Sequence, residues 1–136
     1  MATATRTSSG ARLRGSIIKS NESLQRFTTY LERLQQQNPE LASFNLEVLK
    51  NDVNHGMFFD SSIPQGYGVG SSGALVAAIY DKYAQNKITV LENLTREKLL
   101  QLKSIFSEME SFFHGKSSGL DPLNSYLSIP IFKFKR

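Results

Sequence analysis

Apolar side chains recur every three or four residues over two long stretches of the chain, which is the spacing of an amphipathic helix. The first stretch begins at a cap formed by Ser20 or Asn21 and ends before Pro39. The second begins at the cap residue Thr95 and ends at Gly115, and we expect it to be the longest helix. The apolar faces consist of Leu24, Phe27, Leu31 and Leu34 in the first stretch and of Leu99, Leu102, Ile105, Phe106, Met109 and Phe113 in the second.

Alternation of apolar and polar residues predicts short strands between and after these helices. Residues 44–50 alternate in this way, residues 51–56 supply a turn, and residues 57–60 begin a second strand that pairs back as a hairpin. A continuous apolar run predicts a buried helix over residues 73–84. Residues 87–91 are predicted as either a short strand or a connection, and residues 129–135 are predicted as a last strand. These elements predict an α/β (α+β) fold of two layers, in which a short antiparallel sheet packs under helices.

Length and composition limit the class of protein. With 136 residues the chain is long enough for one domain. It has no cysteine, which excludes disulfides and thiolate metal sites. No run approaches the roughly 18 apolar residues of a membrane span, and the first residues lack the apolar core of a signal peptide. We therefore expect a cytoplasmic protein with no membrane partner.

The formal net charge of +4 is concentrated at the N-terminus. Residues 1–19 contain four of the 16 basic residues and no acidic one, so the other twelve basic residues balance the 12 acidic ones. A body without net charge does not favour nucleic acid as a partner. We divide the chain into a Ser/Thr/Ala/Arg-rich leader over residues 1–19 and a domain over residues 20–136. For the leader, an organellar transit peptide, a disordered arm and a non-native segment stay open.

A glycine-rich segment before the buried helix carries chemistry typical of phosphate binding. It consists of Pro64, Gln65, Gly66, Tyr67, Gly68, Val69, Gly70, Ser71, Ser72, Gly73 and Ala74. Alternate glycines let successive backbone N–H groups converge on an anion, and the N-terminus of the following helix adds partial positive charge. The hydroxyls of Ser71 and Ser72 lie where they can cap this helix or contact a metal ion on the phosphates.

The same glycines also fit a dinucleotide-binding pattern. Gly68, Gly70 and Gly73 have the G-x-G-x-x-G spacing, and Glu92 follows where a ribose-binding acid would be expected. The residues before Gly66 do not form the tight strand-to-helix connection of that fold, and no lysine follows the glycines as in a P-loop. We therefore favour a phosphate-binding loop of another kind.

A second polar cluster spans the end of the long helix and the segment after it. Glu110 lies near the helix end, and Asp121 follows a turn rich in glycine and serine. A chain that turns back at this point brings the two carboxylates towards each other. Paired carboxylates near a phosphate loop suggest one metal ligand and one base.

Both segments resemble motifs of the GHMP kinases, the family named for galactokinase, homoserine kinase, mevalonate kinase and phosphomevalonate kinase. The glycine-rich segment is similar to P-x-G-x-G-L-G-S-S-A-A, with Val69 in place of Leu and Gly73 in place of the first Ala. Residues 110–121 resemble the E-x-x-x-H-G-x-P-S-G-x-D segment of mevalonate kinases, with Ser117 where proline is common. The resemblance covers residues 20–132 and implies part of an N-terminal domain like the second domain of ribosomal protein S5.

This resemblance implies a role for each matching residue. The residues that would wrap the phosphates of ATP are Pro64, Gly66, Tyr67, Gly68, Val69, Gly70, Ser71 and Ser72. Ser72 and Glu110 would hold Mg²⁺, and Asp121 would be the catalytic residue beside the hydroxyl of mevalonate or a similar small alcohol. His114, Ser118 and Gly119 would lie near that substrate, although a histidine at a helix C-terminus is also typical of a cap.

Two parts of the family's enzymes have no counterpart in this sequence. These parts are an N-terminal region that supplies a lysine and a C-terminal domain with a third glycine-rich motif. We therefore expect the chain to be inactive or weak as a catalyst by itself, with exposed edges that favour self-association. Three alternatives stay open: a kinase of this family with a different small substrate, a nucleotide-binding module without catalysis, and a nucleic-acid binder that uses the basic tail.

Overall fold

The computed structural model describes residues 9–58, 71–89 and 94–134. Within these ranges the chain forms five helices and two short strands. The helices are α1 (Ser9–Gln37), α2 (Leu46–Asn54), α3 (Ser71–Tyr83), α4 (Arg96–His114) and α5 (Leu120–Phe134), and the strands are β1 (Ser43–Phe44) and β2 (Ala84–Gln85). This part of the chain is therefore mostly helical, with one small antiparallel sheet. None of its helices combines the length and the apolar character that a bilayer span requires.

Helix α3 lies at the centre of the core and confirms the helix predicted over residues 73–84. Val76, Ala77 and Tyr80 are buried, and the helix packs against α5, α4 and α2. Tyr80 meets the rings of Phe106 on α4 and Tyr126 on α5 edge to face, with ring centroids 5.2 and 5.3 Å away. Such edge-to-face pairs are favourable beyond the area that they bury. Because neighbours enclose α3 on several sides, it fixes the positions of α4 and α5 relative to each other.

Helix α4 has both of the predicted ends. The Thr95 hydroxyl oxygen accepts a hydrogen bond from the Lys98 N–H at 3.1 Å, which satisfies one of the free donors of the first turn. Gly115 ends the helix with a φ of 76°, and its N–H donates to the Ser111 carbonyl at 2.8 Å. A positive φ favours glycine at this position. Leu102, Ile105, Phe106 and Met109 are buried, as their spacing predicts.

Helix α1 begins earlier than the sequence predicts. It starts at Ser9, so Ser20 and Asn21 lie inside the helix and the predicted cap is wrong. With 29 residues it is longer than α4, which has 19, so the predicted order of helix lengths is also wrong. Apolar periodicity marks the stretch that packs on the core and does not reveal where the backbone leaves the helical conformation. The backbone of residues 9–19 is helical, while the division into leader and domain stays a prediction.

Residues 46–54 form helix α2, where the sequence predicts the end of a strand over residues 44–50 and a turn over residues 51–56. The Asn45 side-chain oxygen accepts a hydrogen bond from the Val48 N–H at 3.3 Å and caps the helix. Leu49 and Val53, four residues apart, are buried, whereas Val48 is 44% exposed. Over so short a segment the apolar residues fit both the two-residue period of a strand and the 3.6-residue period of a helix. The helical spacing prevails because it places Leu49 and Val53 together against the core.

The small sheet pairs segments other than the predicted ones. Ser43 lies opposite Gln85 and Phe44 lies opposite Ala84, in antiparallel register. Residues 57–58 are not in a strand, so the predicted hairpin is wrong there, and residues 59–60 lie outside the described residues. Residues 87–89 are not in a strand, which agrees with the alternative of a connection, and residues 90–91 lie outside the described residues.

The strand predicted at the C-terminus is wrong as well. Residues 129–134 belong to α5, and residue 135 lies outside the described residues. Pro122 lies in the first turn of α5, where a missing N–H costs no helical hydrogen bond. Leu123 and Tyr126, three residues apart, are buried. The alternation of phenylalanine and lysine at the end of the chain predicts a strand, but these residues extend helix α5, which packs on α3.

Alanine substitutions in α2 test its helical register. We expect Leu49→Ala to lower the free energy of unfolding by about 2–5 kcal/mol, because it leaves a cavity in the core. Val48→Ala is the matched control, and its cost is expected to stay within about 0.5 kcal/mol because the side chain is half exposed. Urea unfolding of both variants measures the difference. A larger loss for Val48→Ala than for Leu49→Ala would support the strand instead of the helix.

Tyr83 makes the stability of the fold sensitive to alkaline pH. Its buried hydroxyl donates a hydrogen bond to Oδ2 of Asp52 at 2.6 Å. Burial, this bond and the negative charge of Asp52 raise the pKa of Tyr83 well above its usual value of 10.0. The folded protein therefore keeps a proton that the unfolded chain loses above pH 10.0, and the free energy of unfolding falls as the pH rises further.

We expect Tyr83→Phe to reduce this pH dependence. The variant has no hydroxyl to ionise, so its stability declines less between neutral pH and about pH 11 than that of the unaltered chain. Urea unfolding at both pH values measures the two slopes. An equal decline in both proteins would show that the proton on Tyr83 does not contribute.

Candidate functional site

Three helix ends meet at one corner of the fold. Ser72 lies in the first turn of α3, Glu110 and His114 lie in the last turns of α4, and Asp121 lies in the first turn of α5. The Ser72 hydroxyl oxygen is 3.1 Å from Oε2 of Glu110 and 2.9 Å from Nε2 of His114. The residue after Ser72, Gly73, lies directly against Asp121. The corner therefore brings together side chains from three helices.

The carboxylate of Glu110 is the central group of this corner. The residue is only 4% exposed, which is uncommon for a glutamate. Its Oε2 accepts a hydrogen bond from the Ser72 hydroxyl at 3.1 Å, and its Oε1 accepts one from the Ser117 hydroxyl at 2.5 Å. A buried carboxylate requires such partners, because burial removes the hydrogen bonds that it makes with water. The two donors come from different elements and hold the carboxylate from both sides.

The Ser72 hydroxyl takes part in two hydrogen bonds, as donor in one and as acceptor in the other. A serine hydroxyl has one hydrogen, and here that hydrogen points to Oε2 of Glu110. The contact with His114 is then made by Nε2–H of the imidazole, which donates to the Ser72 oxygen. Nε2 of His114 is also 3.9 Å from Oε2 of Glu110, and a protonated imidazole there forms an ion pair with the carboxylate. The donor sequence runs from His114 through Ser72 to Glu110.

Two glycines allow the backbones to approach this closely. A Cβ atom on Gly73 would lie 3.0 Å from Cβ of Asp121 and 3.2 Å from the backbone nitrogen of Pro122. At Gly119 the φ of +80° is one that L side chains rarely adopt, and a Cβ atom there would overlap the carbonyl oxygen of Lys103. Larger residues at these two positions would push α5 away from α3 and α4.

The loop between α4 and α5 is fixed to α4 by hydrogen bonds. The Ser107 hydroxyl donates to the Ser117 carbonyl at 2.5 Å, and the Ser117 hydroxyl oxygen accepts from the Gly119 N–H at 3.0 Å. The Ser118 hydroxyl oxygen accepts from the Leu120 N–H at 3.3 Å, which supports the start of α5. The loop thereby sets the position from which α5 presents Asp121.

Ser72 and Glu110 have the donor chemistry that a magnesium ion requires. Mg²⁺ prefers oxygen ligands in octahedral geometry, and ligands next to each other on such an ion are about 2.9 Å apart. The Ser72 hydroxyl oxygen and Oε2 of Glu110 are 3.1 Å apart, which fits that spacing. In the described ranges, no group of three or more His, Asp or Glu side chains is arranged to hold a metal ion. Mg²⁺ at kinase sites typically uses one or two protein ligands and takes the rest from phosphate and water.

A groove of about 700 Å³ borders the loop on another side. Its lining includes Tyr30, Glu108, Lys116 and Ser118 but neither Glu110 nor Asp121. The groove reaches Ser117, whose hydroxyl donates to Oε1 of Glu110, but the two carboxylates of the corner do not line it.

Most of the predicted site residues that lie within the described ranges are close together in the structure. Ser72, Glu110 and His114 are in contact, Ser118 and Gly119 lie in the loop, and Asp121 adjoins Gly73. The predicted phosphate-binding residues Pro64, Gly66, Tyr67, Gly68, Val69 and Gly70 lie outside the described residues, and Ser71 forms the first residue of α3. Their roles stay predictions.

Sequence reasoning did not identify the hydroxyl of Ser117 as part of this corner. It contacts a carboxylate seven residues earlier in the chain, across the end of α4. The local sequence Ser117-Ser118-Gly119 precedes a helix. Such a sequence indicates only a turn and a cap. The contact depends on how the loop folds back on α4.

Comparison with known proteins identifies the family. The family model described as GHMP kinases N terminal domain matches residues 25–128. No curated protein and no solved structure matched the chain. The matched range contains α2, α3, α4 and all residues of the corner described above, and it covers more than half of the chain. The chain therefore belongs to the GHMP kinase family, which it matches through the family's N-terminal domain.

Proposed function

We propose that this chain takes part in ATP-dependent phosphorylation of the hydroxyl of a small alcohol, with mevalonate as the favoured substrate. The observation that carries this proposal is the contact between Ser72 and the buried Glu110 at the N-terminus of α3. Phosphoryl transfer depends mainly on positioning and on neutralising charge, and this corner offers helix N-termini for phosphate and oxygen ligands for Mg²⁺.

The phosphates of ATP are proposed to bind at the start of α3. The glycine-rich residues 64–70 precede this helix in sequence, and their backbone N–H groups would surround the phosphates together with the first turn of α3. Ser72 and Glu110 would hold Mg²⁺, which neutralises charge on the phosphates when it is bound. This chain's own contribution is to keep the two oxygen ligands at a fixed spacing.

Asp121 is proposed to accept the proton of the substrate hydroxyl. The residue is exposed in the first turn of α5 and lies against Gly73, one residue after the proposed metal ligand Ser72. A carboxylate at hydrogen-bond distance from an alcohol can take its proton as the oxygen attacks phosphorus. Its position beside α3 places it close to the proposed phosphate site.

The choice of mevalonate rests on the residues around the loop. His114, Gly115, Ser118, Gly119 and Asp121 match the segment that is similar to mevalonate kinases. His114 contacts Ser72 through Nε2 and is therefore next to the proposed metal ligands. Another small alcohol of the same family's range is the alternative substrate, and turnover of mevalonate compared with galactose distinguishes the two.

A nucleotide-binding module without catalysis is the second candidate function. Within the described ranges, no lysine or arginine forms an ion pair with Asp121. A nearby cation would stabilise the ionised form that acts as a base. Binding of ATP without transfer to any alcohol would support this candidate over the kinase.

We expect Ser72→Ala to weaken the binding of Mg-ATP about tenfold or more. The substitution removes one oxygen ligand and leaves Oε2 of Glu110 without its hydroxyl donor. Isothermal titration calorimetry measures the affinity. Ser111→Ala is the matched control, because its hydroxyl bonds the Ser107 carbonyl within α4 and lies outside the proposed site. Equal affinities for both variants would contradict a role of Ser72 in binding.

Asp121→Asn is expected to separate binding from transfer. The amide keeps the size of the side chain but cannot accept the substrate proton as a base, so turnover falls by about a hundred- to ten-thousand-fold. Affinity for Mg-ATP stays close to that of the unaltered chain. A coupled assay of ADP release with mevalonate gives turnover, and calorimetry gives affinity. A measurable turnover of the unaltered chain that stays the same in the variant would remove Asp121 from the proposed mechanism.

A further inference from the structure

We propose that Ser117 is a positioning residue that makes Glu110 bind a divalent cation through one oxygen, and thereby favours Mg²⁺ over Ca²⁺. This inference rests on the proposed function, because it concerns the cation that accompanies ATP. Ser117 does not touch the proposed cation position itself. It acts through the orientation of the Glu110 carboxylate.

The two carboxylate oxygens of Glu110 have different partners. Oε1 of Glu110 accepts the hydroxyl hydrogen of Ser117 at 2.5 Å, while Oε2 contacts Ser72 at 3.1 Å and lies 3.9 Å from Nε2 of His114. Only Oε2 therefore faces the second oxygen ligand that we propose. A cation that used both oxygens would have to displace the Ser117 hydroxyl.

Ser117 is held in place through both its carbonyl and its hydroxyl. Its carbonyl oxygen accepts from the Ser107 hydroxyl at 2.5 Å, and its own hydroxyl oxygen accepts from the Gly119 N–H at 3.0 Å. Gly119 lies so close to Lys103 and Ser107 that a Cβ atom would not fit. Because these contacts tie the loop to α4, the Ser117 hydroxyl cannot turn away from Glu110 without breaking the bond from Gly119.

Mg²⁺ and Ca²⁺ differ in the number and arrangement of the ligands that they take. Ca²⁺ takes six to eight oxygen ligands in flexible geometry and commonly binds carboxylates through both oxygens. Mg²⁺ requires nearly ideal octahedral geometry with short bonds and uses carboxylates together with phosphate and water. A carboxylate with one oxygen already engaged suits the smaller cation and removes a ligand that the larger one would use.

The experiment compares ATP binding in the presence of Mg²⁺ with ATP binding in the presence of Ca²⁺. Calorimetry on the full 136-residue chain gives both affinities, and a titration with a chelator present gives the affinity for ATP without a divalent cation. The variants are Ser117→Ala, which frees Oε1, and Ser117→Thr, which keeps a hydroxyl. Ser111→Ala serves as the control for loss of a serine hydroxyl near the end of α4.

We expect the ratio of Ca²⁺-supported to Mg²⁺-supported ATP affinity to rise about tenfold in Ser117→Ala. In Ser111→Ala the ratio equals that of the unaltered chain, and in Ser117→Thr it lies close to that of the unaltered chain. A merely structural role for Ser117 would lower both affinities together and leave the ratio unchanged. If Ser117→Ala does not fold, Ser117→Cys replaces it, because a thiol is a weak donor.

Two outcomes would overturn the inference, and they differ in what else they affect. An unchanged ratio in Ser117→Ala, with Mg²⁺-dependent binding intact in the unaltered chain, rejects the role of Ser117 and leaves the proposed function standing. ATP binding in the unaltered chain that is the same with and without divalent cations rejects both the role of Ser117 and the proposed cation site.

Discussion

The burial of one carboxylate, that of Glu110, is the constraint on which the rest of the site depends. Removing a charge from water costs several kcal/mol unless hydrogen bonds replace the lost solvent. Ser72 and Ser117 supply those bonds from the start of α3 and from the loop before α5. The same requirement that stabilises the buried charge therefore also links three elements. The Glu110 carboxylate is held at a fixed position because, when buried, it requires these two hydrogen-bond donors.

Helix α3 connects this site to the hydrophobic core. Its middle is buried through Val76, Ala77 and Tyr80, and its N-terminal turn carries Ser72 and Gly73. The absence of a side chain on Gly73 lets α5 approach to the point where Asp121 and Pro122 touch the α3 backbone. Packing of the core thus determines the distance between the two proposed functional carboxylates, since α3 contacts the helices that carry both.

The predictions from sequence succeeded for a long periodic stretch with a recognisable residue at each end and failed for short segments. Helix α4 was predicted at both ends because Thr95 and Gly115 satisfy or terminate the backbone by themselves. Residues 46–50 and 129–134 were predicted as parts of strands because their apolar residues fit a period of two over a short span, and residues 51–54 were predicted as part of a turn. For residues 46–54, burial of Leu49 and Val53 against the core selects the helix, and residues 129–134 continue the helix that begins at Leu120.

The sequence by itself determined the family and the residue types of the site, since two motifs in the correct order specify which hydroxyls and carboxylates the chain carries. The tertiary structure alone decided which of them touch. Ser72 and Glu110 are 38 residues apart, and their contact requires α3 and α4 to pack in one particular way. The bond from Ser117 to Glu110 spans seven residues but depends on a loop that folds back on its own helix. Such contacts follow from packing, because local preferences fix the elements but not their mutual positions.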